Sequence, residues 1–270
     1  PMSAPIRFRT ERHERVASTN DLARAAAERG EPEGLWVLAR EQTAGRGRQG
    51  RLWSSPPGNF YGSLLLRPRR PLAEVATLSL VAALAVAEAV ERLARGRVRP
   101  AVKWPNDVLV DRAKLAGILP EAIVSGEGSC AALVLGIGVN LAHHPEGLGR
   151  PTVSLAALDL PPASPEAFLA ALEPVLAERY ALWQERGFAA LRPLWLARAA
   201  GLGERVRLEA GGLVHEGVLV EVGADGGILL ESPAGERRRF TAGELVLAAG
   251  EPAAAFAPAA EASSAARGRL

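Results

Sequence analysis

Apolar residues along this chain follow two regimes. Up to about residue 200 they come in long runs; beyond it they alternate with polar residues in short bursts separated by glycine. In the first regime, residues 35–39, 60–66 and 98–104 read as strands. The nearly unbroken run 131–140 reads as a central strand buried on both faces. Residues 73–94, rich in alanine and leucine, predict a long helix that is apolar on most sides and therefore well buried. A shorter helix over 22–29 is announced by Ser18-Thr19-Asn20-Asp21 and stopped by Gly30. Apolar 108–110 and 115–119 flank Asp111-Arg112 and predict a hairpin. Ser164-Pro165-Glu166 opens a helix to about Arg186, and a second is expected over 188–198. In the second regime strands are expected at 204–209, 213–222, 227–231, 237–241 and 245–248. They turn at Gly211-Gly212 and Asp225-Gly226-Gly227, which predicts a small β-barrel. Residues 250–270 are rich in alanine and proline without periodicity and predict a disordered tail. The predicted division is therefore 1–200, 201–249 and 250–270.

Composition narrows the function classes. Thirty-two Lys and Arg against 30 Asp and Glu leave a formal charge of only +2, which argues against bulk electrostatic binding to nucleic acid or membrane. Arg237-Arg238-Arg239 reads as the solvated face of an edge strand. The single cysteine, Cys130, excludes an internal disulfide framework and suits a reducing cytoplasm; at the head of an apolar run it reads as a buried structural thiol. No signal peptide is visible, and the apolar stretch 75–90 is too short and too polar to span a bilayer. A cytoplasmic protein is expected.

The candidate chemistry starts at Gln42-Thr43-Ala44-Gly45-Arg46-Gly47-Arg48-Gln49-Gly50-Arg51-Leu52-Trp53. Glycines let a ligand approach main-chain N–H groups, and arginines supply planar forks that fit carboxylate and phosphate. Trp53 offers a face for stacking. Between two predicted strands, the segment reads as a loop that folds over an anionic ligand; it lacks the Gly-Lys-Ser/Thr ending of a Walker A loop. A second cluster, Lys103-Trp104-Pro105-Asn106-Asp107, displays a lysine, an amide and a carboxylate at a strand end. Lys103 and Lys114, converging on one face of the hairpin, would make a phosphate site. Gly136 and Gly138 clear one face of the central strand, where a ligand can come close. Asn140 at its end either caps a turn or reads an adenine edge. Ser18, Thr19 and Asn20 cap a helix or bind a small polar ligand there. His143-His144 has no evident partner ligand and reads as a surface pair.

These segments, with Lys114-Leu115-Ala116-Gly117-Ile118-Leu119 and Gly136-Ile137-Gly138-Val139-Asn140, occur in the order and spacing of biotin–protein ligases, which the chain resembles from Ser18 to about Leu247. The resemblance implies an α+β fold: a class II synthetase-like catalytic domain on a mixed, largely antiparallel sheet with helices, then an SH3-like β-barrel. It implies that biotin and ATP give biotinyl-5′-AMP, and that the biotinyl group passes to a lysine of a biotin carboxyl carrier protein. Catalysis is then expected from Lys114, Arg48, Arg51 and Lys103. Biotin is expected on Ser18, Thr19, Asn20, Gln42, Gly45, Arg46, Gly47, Arg48, Lys114 and Gly117. ATP is expected on Arg48, Arg51, Trp53, Lys103, Asn106, Lys114 and Asn140, with Mg²⁺ near Asn106 or Asp107.

Only seventeen residues precede Ser18, too few for the winged helix of members that also repress transcription, so the monofunctional type is expected, with no specific DNA binding and room for a homodimer. Pro120 stands where the strand after Lys114 usually continues and puts its pairing in question. The rival readings are a lipoate–protein ligase or octanoyl transferase of related fold, a nucleic-acid-binding module, and a DNA-binding repressor. The Gly/Arg loop with Lys-Trp-Pro-Asn-Asp opposes the first, low net charge the second, and the short N-terminus the third.

Overall fold

The computed structural model describes residues 6–126 and 128–247; the tail expected at 250–270 and the last residue of the strand expected at 245–248 lie outside the described residues. The chain runs β1 (Arg9–Val16), α1 (Thr19–Glu28), β2 (Leu35–Gln42), β3 (Phe60–Leu66), α2 (Leu72–Val75), α3 (Leu78–Leu93), β4 (Ala101–Lys103), β5 (Asp107–Val110), β6 (Ala113–Val124), β7 (Cys130–Val139), α4 (Pro165–Arg186) and α5 (Arg192–Leu196). Five short strands follow: β8 (Arg205–Ala210), β9 (Leu213–Val222), β10 (Ile228–Glu231), β11 (Arg237–Phe240) and β12 (Glu244–Leu247).

The first seven strands form one sheet in the order β1-β2-β3-β7-β6-β5-β4. Only β1 and β2 pair in parallel; the other neighbours are antiparallel. Alternation along each strand feeds two layers. Leu35, Val37, Leu65 and Val134 meet Ala23 and Ala26 of α1 on one face. Trp36, Leu64, Leu135 and Ile137 join the core of α3 and α4 on the other. The segment Leu72–Leu93 is, by length and mean hydropathy, apolar enough to cross a bilayer, contrary to the expectation from its polar residues. Its apolar surface is spent inside the fold: Leu80, Val81, Leu84, Val86 and Val90 are all buried.

Pro120 does not break β6. It pairs with Leu135 in an unbroken register, beyond the last β6 residue paired to β5, so β6 has a neighbour on one side only at this point. β1 was not legible as a strand, because Arg9–Val16 is charged and mostly exposed, as an edge strand needs to be. The helix expected over 188–198 is a short 3₁₀ turn, Phe188–Ala190, followed by α5. Cys130 is half-buried rather than buried; burial pushes its thiol above the usual cysteine range, and Sγ–H reaches Ala132 O at 3.2 Å.

The expected barrel is a five-stranded antiparallel sheet, β11-β10-β9-β8-β12, with β11 and β12 at opposite edges and no pairing between them among the described residues. Its inward residues Val206, Leu208, Leu219, Ile228 and Leu245 belong to the same core cluster as α3. Trp104 ties the two sheets together: its ring is buried and its Nε1–H donates to Gly226 O at 2.8 Å.

Candidate active site at the glycine-rich loop

Small residues hollow the sheet face that α1 covers. The register sets Ser63 opposite Gly136, and Gly138 opposite Gly117. The space they leave is partly taken by the protein itself. A Cβ on Gly136 would lie 2.3 Å from Asn20 Oδ1, and one on Gly138 would lie 2.6 Å from the Trp53 indole. Gly117 faces both Trp53 and Lys114, at 3.1 and 3.3 Å from its would-be Cβ. These glycines seat an asparagine and an indole, and all three still line the cleft, as expected. It measures about 800 Å³ with its open mouth.

At one end of the cleft the floor is made of polar, uncharged side chains, with Arg46 at its rim. Ser18, Thr19, Asn20 and Gln42 line it. Ser18 occupies the N-cap of α1 without capping it through its side chain. The Thr19 N–H and hydroxyl donate to Gln42 Oε1 at 2.9 and 3.1 Å, Gln42 Nε2 donates to Ser55 Oγ at 3.0 Å, and Ser55 donates to Trp53 O at 2.9 Å. Ser63, fully buried, lies 2.7 Å from Thr19 Oγ1 and 2.5 Å from Asn20 Oδ1. This chain fixes the Gln42 amide with its oxygen toward α1. Ser63 is a lone hydroxyl inside an apolar strand and carries no local sequence signal of this role.

The other end is cationic. Lys103 and Asp107 are register partners across the β4–β5 hairpin, and Asp107 stands opposite Gly117 on β6. Asp111 and Arg112 turn the β5–β6 hairpin with positive φ of 49° and 64°, which brings Lys114 back beside Asp107. The two lysines do converge, but on a carboxylate: Lys114 Nζ is 2.5 Å from Asp107 Oδ1 and Lys103 Nζ is 3.0 Å from Oδ2. Burial pushes the Asp107 carboxyl up, yet the Lys114 and Lys103 ammonium groups outweigh it and hold it below the usual carboxylate range. Burial likewise pulls Lys114 below the usual lysine range, only partly offset by Asp107. Lys114 Nζ also sits 5.4 Å over the Trp53 ring, a cation–π distance.

The loop from Thr43 to Ser54 closes as a strap above this floor. Gly47 N–H donates to Arg51 O at 2.7 Å and Trp53 N–H to Gly45 O at 2.9 Å. Gly45 must lack a side chain: a Cβ there would meet Ser55 Oγ and Trp53 O at 2.6 Å. Arg46 fastens one side of the strap to Asp21 of α1, at 3.0 and 2.6 Å. Arg48 and Arg51 fasten the other side to the second sheet. Arg48 Nη2 donates to Gly243 O at 2.9 Å, its Nη1 reaches Asn106 Oδ1 at 3.5 Å, and Arg51 holds both oxygens of Glu244. Burial lowers the Arg48 guanidinium below the usual arginine range, the largest influence on it.

Gly45 and Asn140, expected to touch ligands, are not among the lining residues. Asn140 is buried and its amide donates to Val153 O at 3.2 Å and Lys114 O at 3.5 Å, which is the turn-capping alternative. The Asn106–Asp107 pair does not fit a resident Mg²⁺. Asn106 Nδ2 donates to Ile118 O at 2.6 Å, both Asp107 oxygens are taken by ammonium groups, and no cluster of three metal-ligating His, Cys, Asp or Glu side chains occurs among the described residues. His143-His144 is a loop pair anchored by Asn59, whose Oδ1 accepts three successive backbone N–H groups from Leu141 to His143. Two lining residues lie outside every motif: Arg150, in the loop after β7, and Glu244. No local sequence signal marks either.

The chain that builds this cleft is similar to known proteins. A family model described as "Biotin/lipoate A/B protein ligase family" matches residues 13–140. The chain is 44% identical over 207 residues to a biotin–[acetyl-CoA-carboxylase] ligase of Paracoccus denitrificans, covering 75% of this chain and 86% of that one. The chain belongs to the biotin/lipoate A/B protein ligase family. Within that family it is also 33% identical over 236 residues to the bifunctional ligase/repressor BirA of Bacillus subtilis, covering 85% of this chain and 71% of that one. A biotin protein ligase from Aquifex aeolicus, solved in complex with biotin and ATP, superposes with a TM-score of 0.74 at 29% identity, covering 87% of this chain and 97% of that chain. The mixed α+β architecture with its large sheet is thus that of biotin protein ligases.

Proposed function

We propose that the chain is an ATP-dependent biotin–protein ligase, which joins biotin to ATP as biotinyl-5′-AMP and then passes biotin to a lysine of a carrier protein. One observation carries this reading. The cleft has two unlike ends, a neutral end of Thr19, Asn20 and Gln42 and a cationic end of Lys103, Lys114 and Arg48, joined under a single strap. A ureido ring suits the first end, since it carries both N–H donors and a carbonyl acceptor. A carboxylate and phosphates suit the second.

In the first step the biotin carboxylate oxygen attacks the α-phosphorus of ATP and the bond to pyrophosphate breaks. Both reactants are anions, so the barrier includes their mutual repulsion. Lys114, Lys103, Arg48 and Arg51 are fixed positive groups that oppose it without reorganising at the moment of reaction. Asp107 holds the two ammonium groups in place. Trp53, seated on Gly138, closes the floor and offers its face to a planar ring, while the strap keeps water from the mixed anhydride. In the second step a carrier lysine amine attacks the acyl carbon and AMP leaves.

The test is pyrophosphate release from purified protein with magnesium ATP and biotin, lipoate or octanoate in parallel, with mass spectrometry for the acyl-adenylate. Biotin alone should stimulate release. Stimulation by lipoate or octanoate instead would assign the chain to the other branch of its family, and no stimulation by any of the three would refute ligase activity.

A further inference from the structure

Two consecutive residues of the second sheet gather arginines from two separate loops of the first. Gly243 O accepts from Arg48, and the Glu244 carboxylate holds Arg51 with both oxygens and meets Arg150 Nη1 at 3.5 Å. Arg48, Arg51 and Arg150 would otherwise repel one another, and Arg51, whose side chain is 42% exposed, would be free to swing into water. Glu244 is itself only 19% exposed and faces the cleft. Its grip uses one N–H from each Arg51 Nη atom, and a third goes to Gln49 Oε1 at 3.0 Å. A guanidinium has five N–H donors, so two remain for a ligand.

The cationic half of the cleft presents Arg48, Arg51, Arg150, Lys103 and Lys114 against the carboxylates of Asp107 and Glu244. Five positive charges over two negative ones leave an excess of three, a match for a polyphosphate and more than one carboxylate requires. Asp107 makes direct ion pairs with the lysines, and Glu244 makes its direct ion pairs with the arginines.

We propose that Glu244 is a positioning residue for the nucleotide: it holds Arg51 and Arg150 together as a preformed clamp for the ATP polyphosphate, and thereby makes the second sheet part of the ATP site. This rests on the ligase reading above. Preorganisation of this kind improves affinity by removing the cost of ordering the side chains when the ligand arrives. A partly exposed ion pair adds little to folding, so the two roles separate experimentally.

The experiment compares wild type, Glu244→Gln, Glu244→Asp and Glu216→Gln in biotin-dependent pyrophosphate release, with biotin binding measured separately. Glu216 on β9 is exposed, stands opposite Arg207 and does not line the cleft, so it controls for a change of sheet charge. Glu244→Gln should raise the KM for ATP about tenfold, the worth of one charge-assisted bond. It should leave the biotin dissociation constant within about twofold, since Glu244 touches nothing at the neutral end, and lower Tm by no more than about 4 °C. Glu244→Asp, which keeps the charge one methylene back, should recover part of the ATP effect, and Glu216→Gln should behave as wild type. An unchanged or lowered KM for ATP would overturn the proposal. So would a parallel loss of biotin binding and thermal stability, which would make Glu244 structural. An inactive wild type would count against the ligase reading and not against the clamp, whose ATP affinity can still be compared by direct nucleotide binding.

Discussion

Replacing Lys114 by methionine separates its two roles. The side chain is 12% exposed and its ammonium is 2.5 Å from the carboxylate of Asp107, which is 6% exposed. Methionine keeps most of the packing volume and removes only the charge. Breaking a buried ion pair costs about 3–5 kcal/mol. Asp107 retains Lys103 at 3.0 Å, so the lower bound of about 3 kcal/mol applies. At about 2–4 °C per kcal/mol for a chain of this size, Tm should drop by roughly 6–12 °C. Catalysis should fall further than that. Deleting one preorganised donor from a site of developing charge costs about 2.7–4 kcal/mol, or roughly 10²–10³ in rate. The assay is single-turnover adenylate formation well below the new Tm, with biotin binding by calorimetry as a check on the neutral end. Asp107→Asn is the companion, because it breaks the same pair while leaving the Lys114 charge in the cleft. The reasoning requires Lys114→Met to lose much more adenylation than Asp107→Asn at similar loss of Tm. Equal losses would show that Lys114 matters only as a partner of Asp107.

Three further outcomes are expected. Gly138→Ala places a methyl 2.6–2.9 Å from three atoms of the Trp53 indole, which is too rigid to yield locally, so the strap must shift; ATP affinity should fall at least about tenfold for a stability loss of about 1–3 kcal/mol, read by nucleotide titration and thermal melts. Arg48→Gly releases the strap from Gly243 O and Asn106, so biotinyl-AMP should escape and label an unrelated protein such as serum albumin more than wild type does; equal labelling, with adenylate formation confirmed, would refute the latch. For Asp107, burial raises its pKa but Lys114 and Lys103 hold it below its ordinary 3.8. In the window between those two values the unfolded chain binds a proton that the folded chain does not, so stability falls as pH drops through it. Asp107→Asn should flatten that acid limb in a series of melts between about pH 5 and pH 2.

What the sequence revealed depended on how local each cause is. β3 and β9 were legible to the residue, because strand propensity and bounding turns act over a few positions. α4 was legible from its cap, since Ser164 Oγ accepts from Ala167 N–H at 3.1 Å and Pro165 pre-sets the first turn. β1 carries no apolar period, and its strand state is imposed by pairing with β2. In the cleft, motif residues such as Arg48, Lys103 and Lys114 were legible, because their chemistry needs a fixed local spacing. Arg150, Glu244 and Ser63 were not, since each matters only through a neighbour distant in sequence. The tertiary partners of motif residues were equally hidden: nothing near Asp107 reveals that its oxygens are spoken for, and nothing near Gly138 reveals that an indole rests on it.

The fastening of the strap to the second sheet sets an order of events during synthesis. Arg48 and Arg51 meet partners 195 and 193 positions later in the chain. At about 5–20 residues per second, a ribosome needs roughly 10–40 s to travel between them. Through that interval the first sheet can pair and Arg46 can hold Asp21, but Arg51 lacks Glu244 and Arg48 lacks Gly243 O. The cleft gains its Glu244 wall only when β12, the last strand among the described residues, arrives, so a chain truncated before Gly243 should hold an acyl-adenylate less firmly.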